Sequence, residues 1–140
     1  MSSCTFHDPE PSLRDRSLFD IVEQAYSRRE KVVVYARDEA RAHAIDRILW
    51  ITRQESFIPH KIFTAREPEP SVPVAIVAAE LNPIGAEVLV ADGHCSLEFA
   101  VGFAVIHEFV DRSSPRQHEA SRERYRWYRA RQIPAEHLKY

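Results

Sequence analysis

The sequence predicts an α/β fold: a three-layer α/β/α sandwich, Rossmann-like in layout, around a mostly parallel or mixed central sheet of about five strands. Three observations carry that prediction. Short β-branched runs such as Val32-Val33-Val34-Tyr35-Ala36 are apolar at successive positions, as strands buried on both faces are. These runs alternate with segments of helical periodicity, the pattern of helices laid on both faces of a sheet. A chain of 140 residues with 44% hydrophobic content can bury one core, so a single domain over residues 1–140 is expected.

The elements follow in order. A first strand is expected at 3–7. Residues 14–28 carry Leu18, Ile21, Val22, Ala25 and Tyr26 at helical spacing. After the strand at 32–36, Asp38 is placed to cap a helix whose inward stripe is Ala42, Ile45, Ile48, Leu49 and Thr52, ending before Ser56-Phe57-Ile58-Pro59. The run Glu67-Pro68-Glu69-Pro70-Ser71-Val72-Pro73 reads as an exposed connector. Strands at 74–78 and 86–91 flank the turn Asn82-Pro83-Ile84-Gly85, and a last strand at 105–110 precedes the C-terminal helix. That helix, at about 114–131, opens with Ser114, Pro115 and Gln117, an S-x-x-Q capping box with proline at its first position. The order of the strands is not readable from pattern.

Composition narrows the chemistry. With 19 Lys+Arg against 21 Asp+Glu the chain is close to neutral, which disfavours broad coating of nucleic acid and makes any anion site local. Cys4 and Cys95 form no CxxC pair, and the seven histidines show no metal-ligand spacing, so no metal or cofactor is expected. The same cysteine usage fits a reducing, cytoplasmic setting, and no run approaches the roughly 20 apolar residues of a membrane span. Three glycines, Gly85, Gly93 and Gly102, build neither GxGxxG nor GxxxxGK[ST], so the phosphate cradle of a nucleotide-using enzyme is missing. His94-Cys95 beside Asp92 and Glu98 is explained more simply as a loop thiol and a helix-entry acid than as a nucleophile and its base. Asp38-Glu39 is explained by helix capping, and His107 and Glu108 point to opposite faces of their strand. No catalytic residue is expected.

Two surfaces stand out instead. Trp50 lies about 140° from the centre of its helix's apolar stripe, and Phe57-Ile58-Pro59-His60 adds apolar bulk seven residues later. Either the tryptophan folds under that loop as a satellite cluster or the two form a partner-binding patch. On the C-terminal helix, Arg122, Tyr125, Arg126 and Arg129 recur at spacings of three and four, setting three guanidinium groups around one phenol. Glu119 and Glu123 can pair with some of these arginines, and Tyr128 or Trp127 can dock the helix onto the sheet.

Taken in order, Asp38-Glu39-Ala40, Asp46-x-x-Leu49-Trp50, Ser56-Phe57-Ile58-Pro59-His60, Glu108-Phe109-Val110 and Arg122-Glu123-Arg124-Tyr125-x-x-Tyr128-Arg129 resemble the chi subunit family of bacterial DNA polymerase III. The match is weakest over residues 61–84. The resemblance implies a non-catalytic DNA replication adaptor of the polymerase III holoenzyme. Such an adaptor binds the acidic C-terminal tail of single-stranded-DNA-binding protein and links it to the clamp loader through the psi subunit, or to a helicase-like partner. It further implies tail binding by Arg122, Tyr125 and Val110, with His118 where the family can have lysine, and with Arg126 and Arg129 as attracting charges. Trp50, Phe57 and Pro59 then face psi or the helicase-like partner. An alternative is direct binding of single-stranded nucleic acid, with the arginines on phosphate and Trp127 stacked on bases.

Overall fold

The computed structural model describes residues 2–53, 55–65 and 68–140. Its elements run β1 (Ser3–Asp8), α1 (Arg14–Ser27), β2 (Val32–Tyr35), α2 (Glu39–Ile51), β3 (His60–Phe63), β4 (Val74–Val77), β5 (Val88–Ala91), α3 (Leu97–Ala100), β6 (Val105–Phe109), α4 (Pro115–Ala130) and β7 (Ala135–Lys139). The strands form a seven-stranded sheet in the order β3-β4-β2-β5-β6-β1-β7, every neighbouring pair parallel. The α/β sandwich is as expected, but the sheet is wholly parallel and has two more strands than the five foreseen. Both additions are sheet edges. β3 (His-Lys-Ile-Phe) and β7 (Ala-Glu-His-Leu-Lys) lack a continuous apolar run, and four of the five β7 residues are exposed. Their pairing with β4 and β1 is made by the main chain, which leaves no mark in hydrophobic pattern.

The central strands alternate between two apolar layers. Val32, Val34, Val74, Ile76, Val88 and Val90 pack under α1 and α2 with Leu18, Phe19, Val22, Ala42, Ile45 and Leu49. Val33, Ala75, Val77, Leu89 and Ile106 face the other way, toward α3, α4 and the segment at Ile84 and Ala86. Successive side chains on a strand point to opposite faces, so runs like Val-Val-Val feed both layers. Local signals set the boundaries. The Asp38 carboxylate accepts the Arg41 backbone N–H at 2.7 Å, and the Ser114 hydroxyl accepts that of Gln117 at 3.1 Å, each an N-cap. Asn82 clamps its turn by accepting from Ala86 N at 2.8 Å and donating to Ala86 O at 3.0 Å, with Gly85 at φ 65°. The expected connector begins at Glu67, which lies outside the described residues; of residues 68–73, three are exposed and three half-buried.

His107 and Glu108 do diverge, and each meets a partner on its own side. Glu108 is completely buried beneath α4. Arg124 donates to its carboxylate from Nε at 2.9 Å and from a terminal nitrogen at 2.6 Å, and the Tyr128 hydroxyl donates at 2.7 Å. A further Arg124 nitrogen donates to the Cys95 carbonyl at 2.6 Å. Burial works against the arginine's charge, but the hydrogen bonds and proximity of Glu108 outweigh it and leave the guanidinium firmly protonated. Burial, reinforced by the Glu108 charge, likewise raises the Tyr128 phenol, which stays a donor. Removing one member of such a pair strands a buried charge, whereas replacing both with apolar groups does not. Arg124→Ala is therefore expected to destabilise the fold by about 3 to 5 kcal/mol in urea unfolding, and the triple change Arg124→Met with Glu108→Leu and Tyr128→Phe, which also removes the buried hydroxyl, to recover most of that loss.

On the opposite face the His7 Nε2 and His107 Nδ1 lie 2.9 Å apart and share one hydrogen bond, and the His7 Nδ1 lies 3.2 Å from the Tyr140 hydroxyl. Burial first, and then the neighbouring charge of His107 for His7 and of Arg28 for His107, lowers both imidazoles to about 4. The unfolded chain takes up these protons first as pH falls, so stability declines progressively from the ordinary histidine range near 6.5 down to about 4. The fall in melting temperature between about pH 7 and pH 5 should be smaller in His107→Gln than in the wild type.

Candidate functional site

The carboxyl ends of β1, β2, β5 and β6 open onto a cleft of about 670 Å³, the place where parallel α/β sheets commonly hold ligands. Here it is braced from within. Asp92, just past β5, has a side chain only 4% exposed and accepts from Arg14 and from Arg41, the latter at 2.8 and 3.0 Å. Burial raises the Asp92 carboxyl, but the Arg41 hydrogen bond and both arginine charges outweigh it and keep it ionised. Arg41 also reaches Asp15 at 2.8 Å. Two of the guanidinium groups that line the cleft are thus committed to a carboxylate of the chain itself. Nearby, Cys95 is buried, and burial followed by the Glu108 charge raises its thiol to about 11, which fits a structural rather than nucleophilic cysteine.

A second cavity, of about 450 Å³, lies between α4 and strands β1 and β7, and it is apolar within and cationic at its rim. The orientation of α4 creates it. Arg124 and Tyr128 point at the sheet, so residues about 80° to 140° further round the helix face this cavity, among them His118, Arg122 and Tyr125. Phe6 of β1 forms the floor and meets the Tyr125 ring edge-on, with ring centres 5.4 Å apart. Val110 supplies an apolar wall, and Arg122 and Arg126 stand at the rim. Arg122 is exposed and has no ion pair or side-chain hydrogen bond among the described residues. Arg126 is loosely tied to Glu119 at 3.2 Å, both well exposed.

Of the six residues expected to share one site, Val110, His118, Arg122, Tyr125 and Arg126 line this cavity together. Arg129 does not. It donates to the Tyr125 hydroxyl and to the Ala135 carbonyl, each at 3.2 Å, and lies 5.7 Å from the Tyr125 ring centre. It therefore props the phenol against β7, and with neutral acceptors only it keeps its positive charge. Trp127 packs partly buried against the core, with the Arg131 guanidinium 3.8 Å from its ring centre. One face of the indole is thereby occupied. Sequence reading passed over four lining residues: Phe6, Arg112, Ser121 and His137. Phe6 was findable from strand alternation, but His137 sits on the strand that hydrophobic pattern does not reveal.

The other expected surface also assembles. Trp50 and Phe57 are 50% and 63% exposed with ring centres 5.4 Å apart, and the Trp50 ring lies 4.8 Å from that of buried His60. The His60 Nδ1 lies 2.7 Å from the Ile58 carbonyl oxygen, and its Nε2 lies 3.1 Å from an Asp46 carboxylate oxygen without hydrogen-bond geometry. Trp50 thus covers the histidine as a satellite cluster would, yet it remains half exposed. The pair forms an apolar patch at the β3 edge, and half-buried Pro59 sits in the same loop as Phe57.

With both surfaces in view, comparison with known proteins is decisive. The family model for the DNA polymerase III chi subunit, HolC, matches residues 1–136. The chain belongs to the DNA polymerase III chi subunit family. It is 29% identical over 128 residues to the DNA polymerase III subunit chi of Pseudomonas aeruginosa, covering 89% of this chain and 85% of that protein. To the Escherichia coli K12 protein of the same name it is 26% identical over 111 residues, covering 79% and 74%. This chi-family chain is therefore an accessory component of DNA replication, working among protein partners of the polymerase III holoenzyme rather than as the polymerase. Among the described residues no helix is long and apolar enough to cross a membrane. Because Phe57 is exposed and outside the core, Phe57→Ser should shift unfolding free energy by less than about 0.5 kcal/mol in urea denaturation, leaving a folded protein for partner assays.

Proposed function

We propose that the cavity beside α4 receives the acidic C-terminal tail of single-stranded-DNA-binding protein, and that the Trp50–Phe57 patch joins the chain to the clamp loader through psi or to a helicase-like partner. The observation that carries the first half is a guanidinium without a partner among the described residues, Arg122, at the rim of a pocket floored by aromatic carbon. A peptide ending in an aromatic residue offers the complement: a terminal carboxylate for Arg122 and a ring for the space between Phe6, Val110 and Tyr125. Arg126 adds salt-sensitive attraction for the acidic residues that precede it, acting mainly on association. Arg129 acts through Tyr125.

Sheet order supports the adaptor reading as a whole. The pocket lies by β1 and β7, and the Trp50–Phe57 patch lies by α2 and β3 at the opposite edge. Six interstrand steps of about 4.8 Å set the two edges on the order of 30 Å apart, so both surfaces can be occupied at once. Acting as one domain over 1–140 in the bacterial cytoplasm, such a chain ties two proteins together without touching DNA. Direct binding of single-stranded nucleic acid is less well supported, since Arg131 covers one face of Trp127, the ring it would stack on a base.

Fluorescence anisotropy separates the readings. A labelled peptide with several aspartates and a C-terminal phenylalanine should bind the wild type and lose at least about tenfold in affinity with Arg122→Ala. Equal affinity in the two proteins would remove Arg122 from the site, and preference for a bare oligonucleotide would favour the nucleic-acid reading. Trp50→Ala or Phe57→Ala should abolish capture of psi or the helicase-like partner while leaving peptide affinity intact; loss of both activities in one variant would contradict two separate surfaces.

A further inference from the structure

The pocket has a second guanidinium that is held quite differently from the first. Arg112 lies just beyond β6 and lines the cavity together with His137 of β7. Its Nε and one terminal nitrogen donate to the two carboxylate oxygens of Asp8 at 2.8 and 2.6 Å. Asp8 ends β1, and its side chain is only 2% exposed. The hydrogen bond from Arg112, assisted by one from His137 at 2.9 Å, holds the Asp8 carboxyl down at about 2 against its burial, so it stays charged throughout the physiological range. The Arg112 side chain is nevertheless 42% exposed.

A fork-to-fork contact engages only two of the five N–H groups of a guanidinium. The other three remain for a ligand, and the plane that carries them is already fixed. An arginine positioned in advance loses less rotamer entropy on meeting an anion than a free one does. Asp8 also neutralises the net charge of Arg112, so its contribution comes from directed hydrogen bonds rather than from long-range attraction. Such a group distinguishes ligands more than it speeds their arrival. The nearest other carboxylate on that loop, Asp111, turns back to accept from the Ser113 backbone N–H at 2.9 Å and hydroxyl at 2.6 Å.

We infer that Arg112, positioned by Asp8 and His137, is a specificity residue of the pocket that reads one acidic side chain of the bound peptide, upstream of the terminal carboxylate taken by Arg122. The inference rests on the peptide-binding reading above and divides the pocket's work between two arginines. Arg122 takes the chain end, and Arg112 takes a side chain at a fixed distance from it.

A double-mutant cycle tests the division. The probes are the labelled peptide with several aspartates and a C-terminal phenylalanine, and a set in which each aspartate in turn is replaced by asparagine. One replacement should weaken binding to the wild type by about fivefold and have almost no effect on Arg112→Gln, the coupling expected of a direct charged contact. Asp8→Asn should shrink the same coupling, because the fork is no longer held. If Arg112→Gln lowers thermal stability, Arg112→Lys serves in its place, since it keeps the charge and loses the fork. A uniform drop across all peptides, or no change for any, would overturn the role of Arg112 while leaving that of Arg122 standing. Failure of the wild type to bind even the unmodified peptide would overturn both.

Discussion

A single buried carboxylate governs how the C-terminal helix lies on the sheet. Glu108 sits fully enclosed on β6, where an ionised group without compensation would cost several kcal/mol. Among the described residues compensation comes from one helix: Arg124 forks onto it, and Tyr128 one turn later donates its hydroxyl. Only one rotation of α4 lets both reach. Apolar packing could seat a helix on this face at several angles, because it has no direction, whereas hydrogen bonds to a buried anion do. Arg124 extends the constraint to the Cys95 carbonyl, tying in the segment between β5 and α3.

The pocket follows from that rotation. Once Arg124 and Tyr128 face inward, Tyr125 is carried to the flank over β1, where it meets Phe6, and Arg122 is carried to the rim. Sequence neighbours thereby acquire unrelated roles. Arg122 is open to a ligand, Arg124 belongs to the core, Arg126 is held loosely by Glu119, Arg129 props a phenol and Arg131 covers an indole. A stretch that looks uniformly basic in one dimension is divided by packing into five different environments.

The carboxyl ends of the central strands are organised around ion pairs within the chain. In parallel α/β proteins the carboxyl ends of the central strands are the customary ligand cleft. Here Asp92 draws Arg14 and Arg41 into that cleft and makes it a brace between α1, α2 and β5. The cavity beside β1 and β7 and the exposed aromatic pair at the β3 edge lie instead at the two flanks.

The α/β class, the caps at Asp38 and Ser114, the turn at Asn82 and the divergence of His107 from Glu108 were all legible in the sequence, because each depends on residues close together in the chain. Val110, His118, Arg122, Tyr125 and Arg126 could likewise be nominated together, through a motif resemblance and helical spacing. Tertiary structure alone decided the strand order, the two edge strands, the Arg124–Glu108–Tyr128 link, and the meeting of Phe6, Arg112 and His137 around the same cavity. Those features join residues from different ends of the chain, or rest on main-chain pairing that polar side chains do not announce. Local chemistry fixes where helices and turns begin, but burial of a charge and the closing of a pocket depend on which distant segments are brought against each other.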